Sequence, residues 1–595
     1  MLLIKKCFAV ALAHRLIVGA ALVMSLLVSL PVILFPILAR DSYQGINIAH
    51  FGTDEHYYLT RAKEILEGHG LGNIVLREQK DAQEPQFTYV EYLLLLPVRA
   101  LGLADVVNVV TLYNVYNFLG VFVLILLIYF FTLEVKSDKK FALLATLFVV
   151  GGYSIIYNKT IGSPELNIYG RAIFPYMSLI AFFIFARLLL VSLKSQDWKK
   201  ALWAGISFGA LFYIFFFAWS FALALLGSLF LVYLLKRDFI KVKKLAVIFG
   251  VGLLLGAYNL ARLLPFYESE HGRQLAFFLW SYFSHAPILS KIGLAMIILL
   301  GIFYYRRKQD ENIGIIIGFM LAGWVALNQQ IITGRVIQYG HYYWFFIVPT
   351  SIILGWYMVW SLVTSERSRR ILLIATIAVV FINTVIGQYK TTLMSLPVKI
   401  DEQRYRPILT ALQADREPGV VMAPDGYGGL LVAIYTPHDL LWNTTALVYT
   451  TSPERMEEVL TWFLYLTKDA RKDPLKYLEQ ALADSDNATD SKALYIAIEG
   501  ILSGWDSHVY AAKVETRDPE FLEHRKKLFS SLEKKYRAFA ADTKNINIFL
   551  KKYGVTHIIW DNIKNPEWDL SIIPGLREVT VMHGVHLYEL VIASK

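Results

Sequence analysis

Long apolar runs alternate with short polar ones through the first two thirds of the chain. The runs at 16–39, 107–133, 141–157, 173–193, 201–217, 219–235, 245–263, 288–305, 313–327, 344–363 and 371–388 predict eleven membrane-crossing helices, because about 18–20 apolar residues span a bilayer. A shorter run at 89–103, YVEYLLLLPVRALGL, contains Pro97 and Arg99 and predicts a helix lying in the membrane interface. From about residue 389 the pattern changes. Polar, helix-periodic stretches at 451–468, 474–484 and 518–552 alternate with β-like runs at 419–424, 493–498 and 555–560 and a hairpin at 577–592. The expected fold is an α-helical polytopic membrane domain of about eleven transmembrane helices over 1–388, followed by a small soluble α/β domain over 389–595. The chain shows no internal repeat.

Composition agrees with that pattern. Of 595 residues, 56% are hydrophobic and 18% charged, against about 25% charged in ordinary soluble proteins. The net charge of +10 sits largely in five short loops, EVKSDKK (134–140), KSQDWKK (194–200), KRDFIKVKK (236–244), RRKQDEN (306–312) and SERSRR (365–370). Basic loops stay on the cytoplasmic side. The pattern therefore predicts a multi-pass plasma-membrane protein with a cytoplasmic N-terminus and an extracytoplasmic C-terminal domain. Lys5, Lys6 and Arg15 precede an apolar run too long for a signal peptide, which reads as a retained first span. No zinc spacing, Walker loop or basic–aromatic RNA motif points to nucleic acid. The single cysteine, Cys7, rules out disulfides within the chain.

Three outer segments carry polarity that an ordinary loop does not require. The first is TDEHYYLTRAKEILEGHG at 53–70, read as a helix starting at Thr53. Asp54 and Glu55 diverge by about 100° on a helix, so one can face a cavity while its neighbour forms a salt bridge. Both could equally serve only as first-turn acids. The second is NKTIGSPELNIYGRAIFPYMS at 158–178, with Glu165 and Arg171 near membrane depth. Irregular backbone there is tolerated beside a wet cavity, although Glu165 and Arg171 could also pair with each other. The third is NQQIITGRVIQYGHYYWFF at 328–346, where Gln330, Arg335, Gln338 and His341 form a polar surface. Arg335 and His341 suit a phosphate, whose charge would raise the imidazole pKa. Asn259 and Arg262 add polarity at the same level.

On these segments the chain resembles the GT-C superfamily of integral-membrane glycosyltransferases, which includes oligosaccharyltransferase catalytic subunits, protein O-mannosyltransferases and aminoarabinose transferases. TDEHYYLTRAKEILEGHG is similar to their first outer loop. GRAIFP, GISFGALFYIFFFAW and NQQIITGRVIQYGHYYW look like a bacterial branch with a C-terminal α/β domain. The resemblance implies a sugar donor on a polyprenyl phosphate and a first-loop acid that acts as general base or holds a metal. It makes Asp54 the catalytic base and Glu55 its helper. Tyr58, Glu165, Arg171, Gln330, Arg335, Gln338 and His341 are the expected substrate contacts. The expected activity is hexosyl or pentosyl transfer in the cell envelope, with a glycan, lipid or protein acceptor and membrane lipids as partners. No cofactor is assigned, and a divalent metal stays open; Glu268 and Glu270 are the only further acids in the 264–287 loop. The C-terminal region lacks a Trp-Trp-Asp-type acceptor motif, which argues against protein N-glycosylation. The alternatives are a transporter, which would favour repeats and a midplane site, and a GT-C-like scaffold without catalysis.

Overall fold

A computed structural model of the chain describes residues 9, 11–49, 54–415, 417–484 and 489–591. Lys5, Lys6, Cys7 and the expected N-cap Thr53 lie outside the described residues.

A helical element covers each of the eleven apolar runs, but not all are of spanning length. Among the described residues, seven helices are long and apolar enough to cross a membrane, and the pair at 15–42, bent by 45°, makes an eighth if counted as one span. Lys139–Gly151, Trp198–Leu211 and Lys291–Arg306 are shorter, at 13, 14 and 16 residues. At about 1.5 Å per residue each reaches less than a full hydrocarbon thickness. Gly152 interrupts the first of these, and the turn after Leu211 ends the second. Eleven complete spans are therefore more than the helix lengths support.

The five basic loops gather at one end of the bundle. Asp138, Asp197 and Asp238 each cap the helix that follows, accepting backbone N–H groups of Lys140, Lys199 and Lys241. The loops are also tied to one another. Trp360 Nε1 donates to Asp138 Oδ2 at 2.9 Å, and Asn312 Nδ2 to the Val135 carbonyl at 3.0 Å. Lys140 pairs with Glu366, and Lys244 Nζ donates to the Ser192 carbonyl at 3.0 Å.

The opposite end carries the outer loop and the C-terminal region, which share one hydrophobic core. Ile65, Leu71 and Val90 pack in the same cluster as Leu430, Leu460 and Ile558. The helix Glu366–Gln403 runs from the bundle into this region without a break. A five-stranded sheet follows, in the order Asp439–Leu440, Val420–Met422, Val555–Asp561, Val585–Leu590, Leu576–Met582. Its first three strands are parallel, and the last two form the antiparallel hairpin expected from the sequence. His583 and Gly584 turn that hairpin with φ of 50° and 80°, the positive values that a two-residue turn of right-handed twist needs.

The run at 493–498 is a correction, because it lies inside the helix Asp490–Ser503. Leu494, Tyr495, Ala497 and Ile498 are all buried, a one-sided i, i+1, i+3, i+4 pattern. Thr489 caps the start, and Gly504, with φ 72°, the end. A short apolar run does not by itself separate strand from buried helix. The 89–103 run forms the helix Val90–Ala100, with Leu93 and Leu96 exposed.

Candidate functional site

The helix Asp54–Glu67 begins at the mouth of a cavity between the outer loop and the bundle. Its first two residues differ sharply. The Asp54 side chain is 61% exposed and that of Glu55 only 2%. Both are held by Arg171, whose Nε donates to Glu55 Oε1 at 3.3 Å and whose Nη2 donates to Asp54. Burial raises the Glu55 carboxyl pKa, partly offset by Arg171. The two acids in turn keep the Arg171 guanidinium protonated despite its own burial.

Deeper packing fixes this helix. Arg61 is fully buried; its Nε donates to Glu91 at 2.5 Å, Nη1 to Glu84 at 2.8 Å and Nη2 to Thr88 Oγ1 at 2.9 Å. His56 Nε2 meets Glu402 at 2.8 Å, joining the helix to the C-terminal region. Arg171 is positioned by the segment that follows the short helix Ile168–Gly170, where Asn167 accepts the Tyr169 N–H at 3.0 Å. Two residues on, Ile173 takes φ 61°, a conformation costly for a β-branched residue. Its complete burial in the shared core holds it there.

Asp54 and Arg171 line a cavity of about 1030 Å³. Lys159 and Lys291 line it too, so three cationic side chains share one chamber with one exposed carboxylate. Most of its remaining wall is aromatic or aliphatic, including Tyr157, Trp280, Trp344, Leu289, Ile292 and Ala295, with Ser290 and Gln338 as further polar groups. A smaller cavity of about 290 Å³ is walled by Tyr58, Phe215, Phe216, Phe217 and Tyr267, with Gln86, Thr88, Ser281 and Arg335 as its polar groups. Ile337, Gln338 and His341 line both chambers.

Of the expected site residues, Asp54, Arg171, Gln338 and His341 meet at the larger chamber, and Tyr58 and Arg335 at the smaller. Glu55 stands directly behind Arg171. Two residues do not join them. Glu165 bonds Asn158 rather than Arg171, and its backbone carbonyl accepts from Gln388 Nε2 at 3.0 Å. Gln330 is buried and donates from Nε2 to the Ala286 carbonyl at 3.0 Å, tying two loops together. Asn259 and Arg262 likewise serve packing: Asn259 donates to the Phe212 carbonyl at 2.5 Å, and Arg262 bonds Gln83, Tyr89 and Tyr258.

His341 packs among aromatic rings. Its ring stacks on Phe217 at 4.6 Å, and burial lowers its pKa to about 4. It is therefore a neutral imidazole at pH 7, not a standing cation. Arg335 lays its guanidinium over the Phe283 ring at 5.0 Å. Lys159, Lys291 and the aromatic wall Phe215–Phe217 were not singled out in the sequence. The lysines sit in turns that look like solvated loops, and the phenylalanines sit within an apolar run.

Among the described residues, two groups bring three potential metal-ligand atoms within 4.8 Å of one another: Asp415, His438 and His557, and Glu64, Glu67 and His69. None of these lines the chamber at Asp54, and neither do Glu268 and Glu270. At Asp54 itself Arg171 bridges both carboxylates, and among the described residues the chamber offers no further acid. The described donor set does not fit a metal ion at Asp54.

No protein-family profile matches the chain, and no curated protein matches it either. Solved structures do. ArnT from Cupriavidus metallidurans, bound to undecaprenyl phosphate, matches with a TM-score of 0.50 and 10% identity, covering 98% of this chain and 99% of that one. An oligosaccharyltransferase from Archaeoglobus fulgidus, in complex with Zn and sulfate, gives 0.31 and 14%, covering 92% of this chain and 68% of the other. AglB from Archaeoglobus fulgidus, with an inhibitory peptide and a dolichol-phosphate, gives 0.32 and 14%, covering 97% and 74%. Matched to ArnT over nearly its whole length, the chain shares the fold of that structure.

Proposed function

We propose that this protein is a membrane glycosyltransferase that moves a sugar from a polyprenyl-phosphate donor to an acceptor on the extracytoplasmic face. The observation that carries the reading is the larger chamber, where one exposed carboxylate, Asp54, shares a space with Arg171, Lys159 and Lys291 between aromatic and aliphatic walls. Undecaprenyl phosphate bound to ArnT, which has the same fold, supports a lipid phosphate as the ligand.

The chemistry follows from those groups. The acceptor hydroxyl attacks the anomeric carbon of the donor and gives its proton to the Asp54 carboxylate. As the new C–O bond forms, the bond from the anomeric carbon to the phosphate oxygen breaks. The negative charge left on the phosphate is stabilised by Arg171, Lys159 and Lys291. Glu55 stays behind Arg171 and holds the guanidinium in place. The lipid tail lies along Leu289, Ile292 and Ala295, and the aromatic chamber beside His341 receives a sugar ring.

The test is turnover of a radiolabelled polyprenyl-phosphate sugar by the full chain in proteoliposomes. Release of free polyprenyl phosphate together with a labelled product is expected. Donor that stays intact with every acceptor class offered (glycan, lipid and peptide) would defeat the reading.

A further inference from the structure

A third cavity, of about 410 Å³, shares no lining residue with the two chambers above; its Gly170 is the sequence neighbour of Arg171, which lines the larger chamber. One wall is the start of the helix Val109–Val135, an otherwise apolar span whose sequence opens NVVTLYNVYN. Asn108, Thr111, Asn114 and Asn117 recur there at every third residue, and all four line the cavity. The facing wall is the bend of the first span around Ser29.

The amides are only partly used. Asn108 Oδ1 caps the helix by accepting the Thr111 N–H at 3.0 Å, which leaves its Nδ2 as a free donor. Asn114 Nδ2 donates to the Asn47 carbonyl at 3.0 Å, leaving Oδ1. Asn117 Nδ2 reaches the Gly170 carbonyl at 3.5 Å, while its Oδ1 is buried with no hydrogen-bond partner. A buried unpaired carbonyl is costly and calls for a donor. Among the described residues, none that lines the cavity is charged. Two acceptors and one donor in an uncharged pocket match hydroxyl groups, which both give and receive hydrogen bonds. Ile33 and Val115 also line the cavity and are about half exposed on the flank of the bundle. An apolar rim of that kind admits a ligand from lipid, and the volume falls within the roughly 300–1,000 Å³ of small-molecule sites.

The geometry points to a binding site for the uncharged, hydroxyl-bearing headgroup of a lipid. Its hydroxyls donate to Asn114 and Asn117 Oδ1 and accept from Asn108 Nδ2, and its acyl chains leave between Ile33 and Val115. The site stands whether or not the protein transfers sugars.

Native mass spectrometry of the full chain tests it, with monoglucosyl diacylglycerol, phosphatidylglycerol, phosphatidylcholine and free glucose offered at equal concentration. The glucolipid should be retained at least tenfold over the other three. Asn117→Leu should cut that retention at least tenfold. Asn108→Asp keeps the oxygen that caps the helix, and hence the fold, but removes the donor; it should cut retention at least fivefold. If Asn117→Leu fails to fold, Asn108→Asp decides. Equal retention of phosphatidylcholine or phosphatidylglycerol would overturn the proposal, as would glucose bound as well as glucolipid. Undiminished glucolipid retention in Asn108→Asp would place the lipid elsewhere and overturn it too.

Discussion

Asp54 and Glu55 hold the same arginine from opposite environments, and this divides their roles. Asp54 faces the chamber and can take a proton from an arriving hydroxyl, whereas Glu55 is enclosed behind Arg171. Asp54→Asn keeps the shape and a hydrogen-bonding oxygen but is no base. It should cut transfer by about 10²–10⁴-fold with donor binding and thermal stability nearly intact. Glu55→Gln should act less on the rate and more on stability, because it weakens the anchor of Arg171. Normal turnover in both variants would leave these acids as mere first-turn residues. His341 gives a pH test. Its pKa is depressed to about 4 by burial, so the stability tied to its neutral form is present above its ordinary value of about 6.5 and lost as pH falls towards 4. A bound donor phosphate would favour the protonated ring. Donor affinity should therefore rise as pH falls from the ring's pKa in the complex towards about 4, by no more than about tenfold per unit for one linked proton. The difference between native protein and His341→Gln, measured by calorimetry, isolates this contribution from the carboxylates; identical slopes would show that His341 does not meet the phosphate.

Elements rather than isolated residues bring the chamber cations together. Lys159 follows the short helix Tyr153–Asn158 in a left-handed conformation, φ 57°, and Lys291 opens the helix Lys291–Arg306. Neither position stands out in the sequence, because a lysine at a helix end in a membrane protein is most simply an interfacial anchor. Only the fold brings both to the chamber that Arg171 lines. Lys159→Ala and Lys291→Ala should each weaken polyprenyl-phosphate binding by about 1–2 kcal/mol, between an exposed ion pair and a charge-assisted hydrogen bond. The effect should shrink with added salt. Arg335→Ala should change selectivity for the transferred group more than phosphate affinity, since Arg335 lines the smaller chamber; unchanged selectivity with a large loss of phosphate affinity would return Arg335 to the role first expected of it. The same scale explains what was readable. Helix Asp54–Glu67, the Val90–Ala100 helix and the closing hairpin follow from periodicity and turn residues. The helix Asp490–Ser503 does not, because its apolar core is short and its caps lie just beyond it.

At the scale of the molecule, charge and packing divide the protein in the same way. All five basic loops lie at one end, and the outer loop and C-terminal region share a core at the other. Arg77 Nε bonds Asp439 Oδ2 at 3.1 Å, and the Leu440 N–H donates to the Val75 carbonyl at 3.0 Å, so the loop before the second span adds to the edge of a sheet some 360 residues later. Sequence periodicity cannot register such a pairing, because neither partner alone shows a complete pattern. Cytoplasmic lysines and arginines resist translocation, so we propose that the basic end is inside and the chamber outside. Lys472, whose side chain is 78% exposed in the C-terminal region, and Gln196, exposed in the second basic loop, report on the two ends. With Cys7 replaced by serine, Lys472→Cys should react with an impermeant maleimide in intact cells, and Gln196→Cys only after permeabilisation. Because the two ends are joined by continuous helices such as Val109–Val135, the two labels must answer oppositely if the chain crosses the membrane as a single bundle. The reverse pattern would invert the topology and move Asp54 to the cytoplasmic face, where an extracytoplasmic acceptor could not reach it.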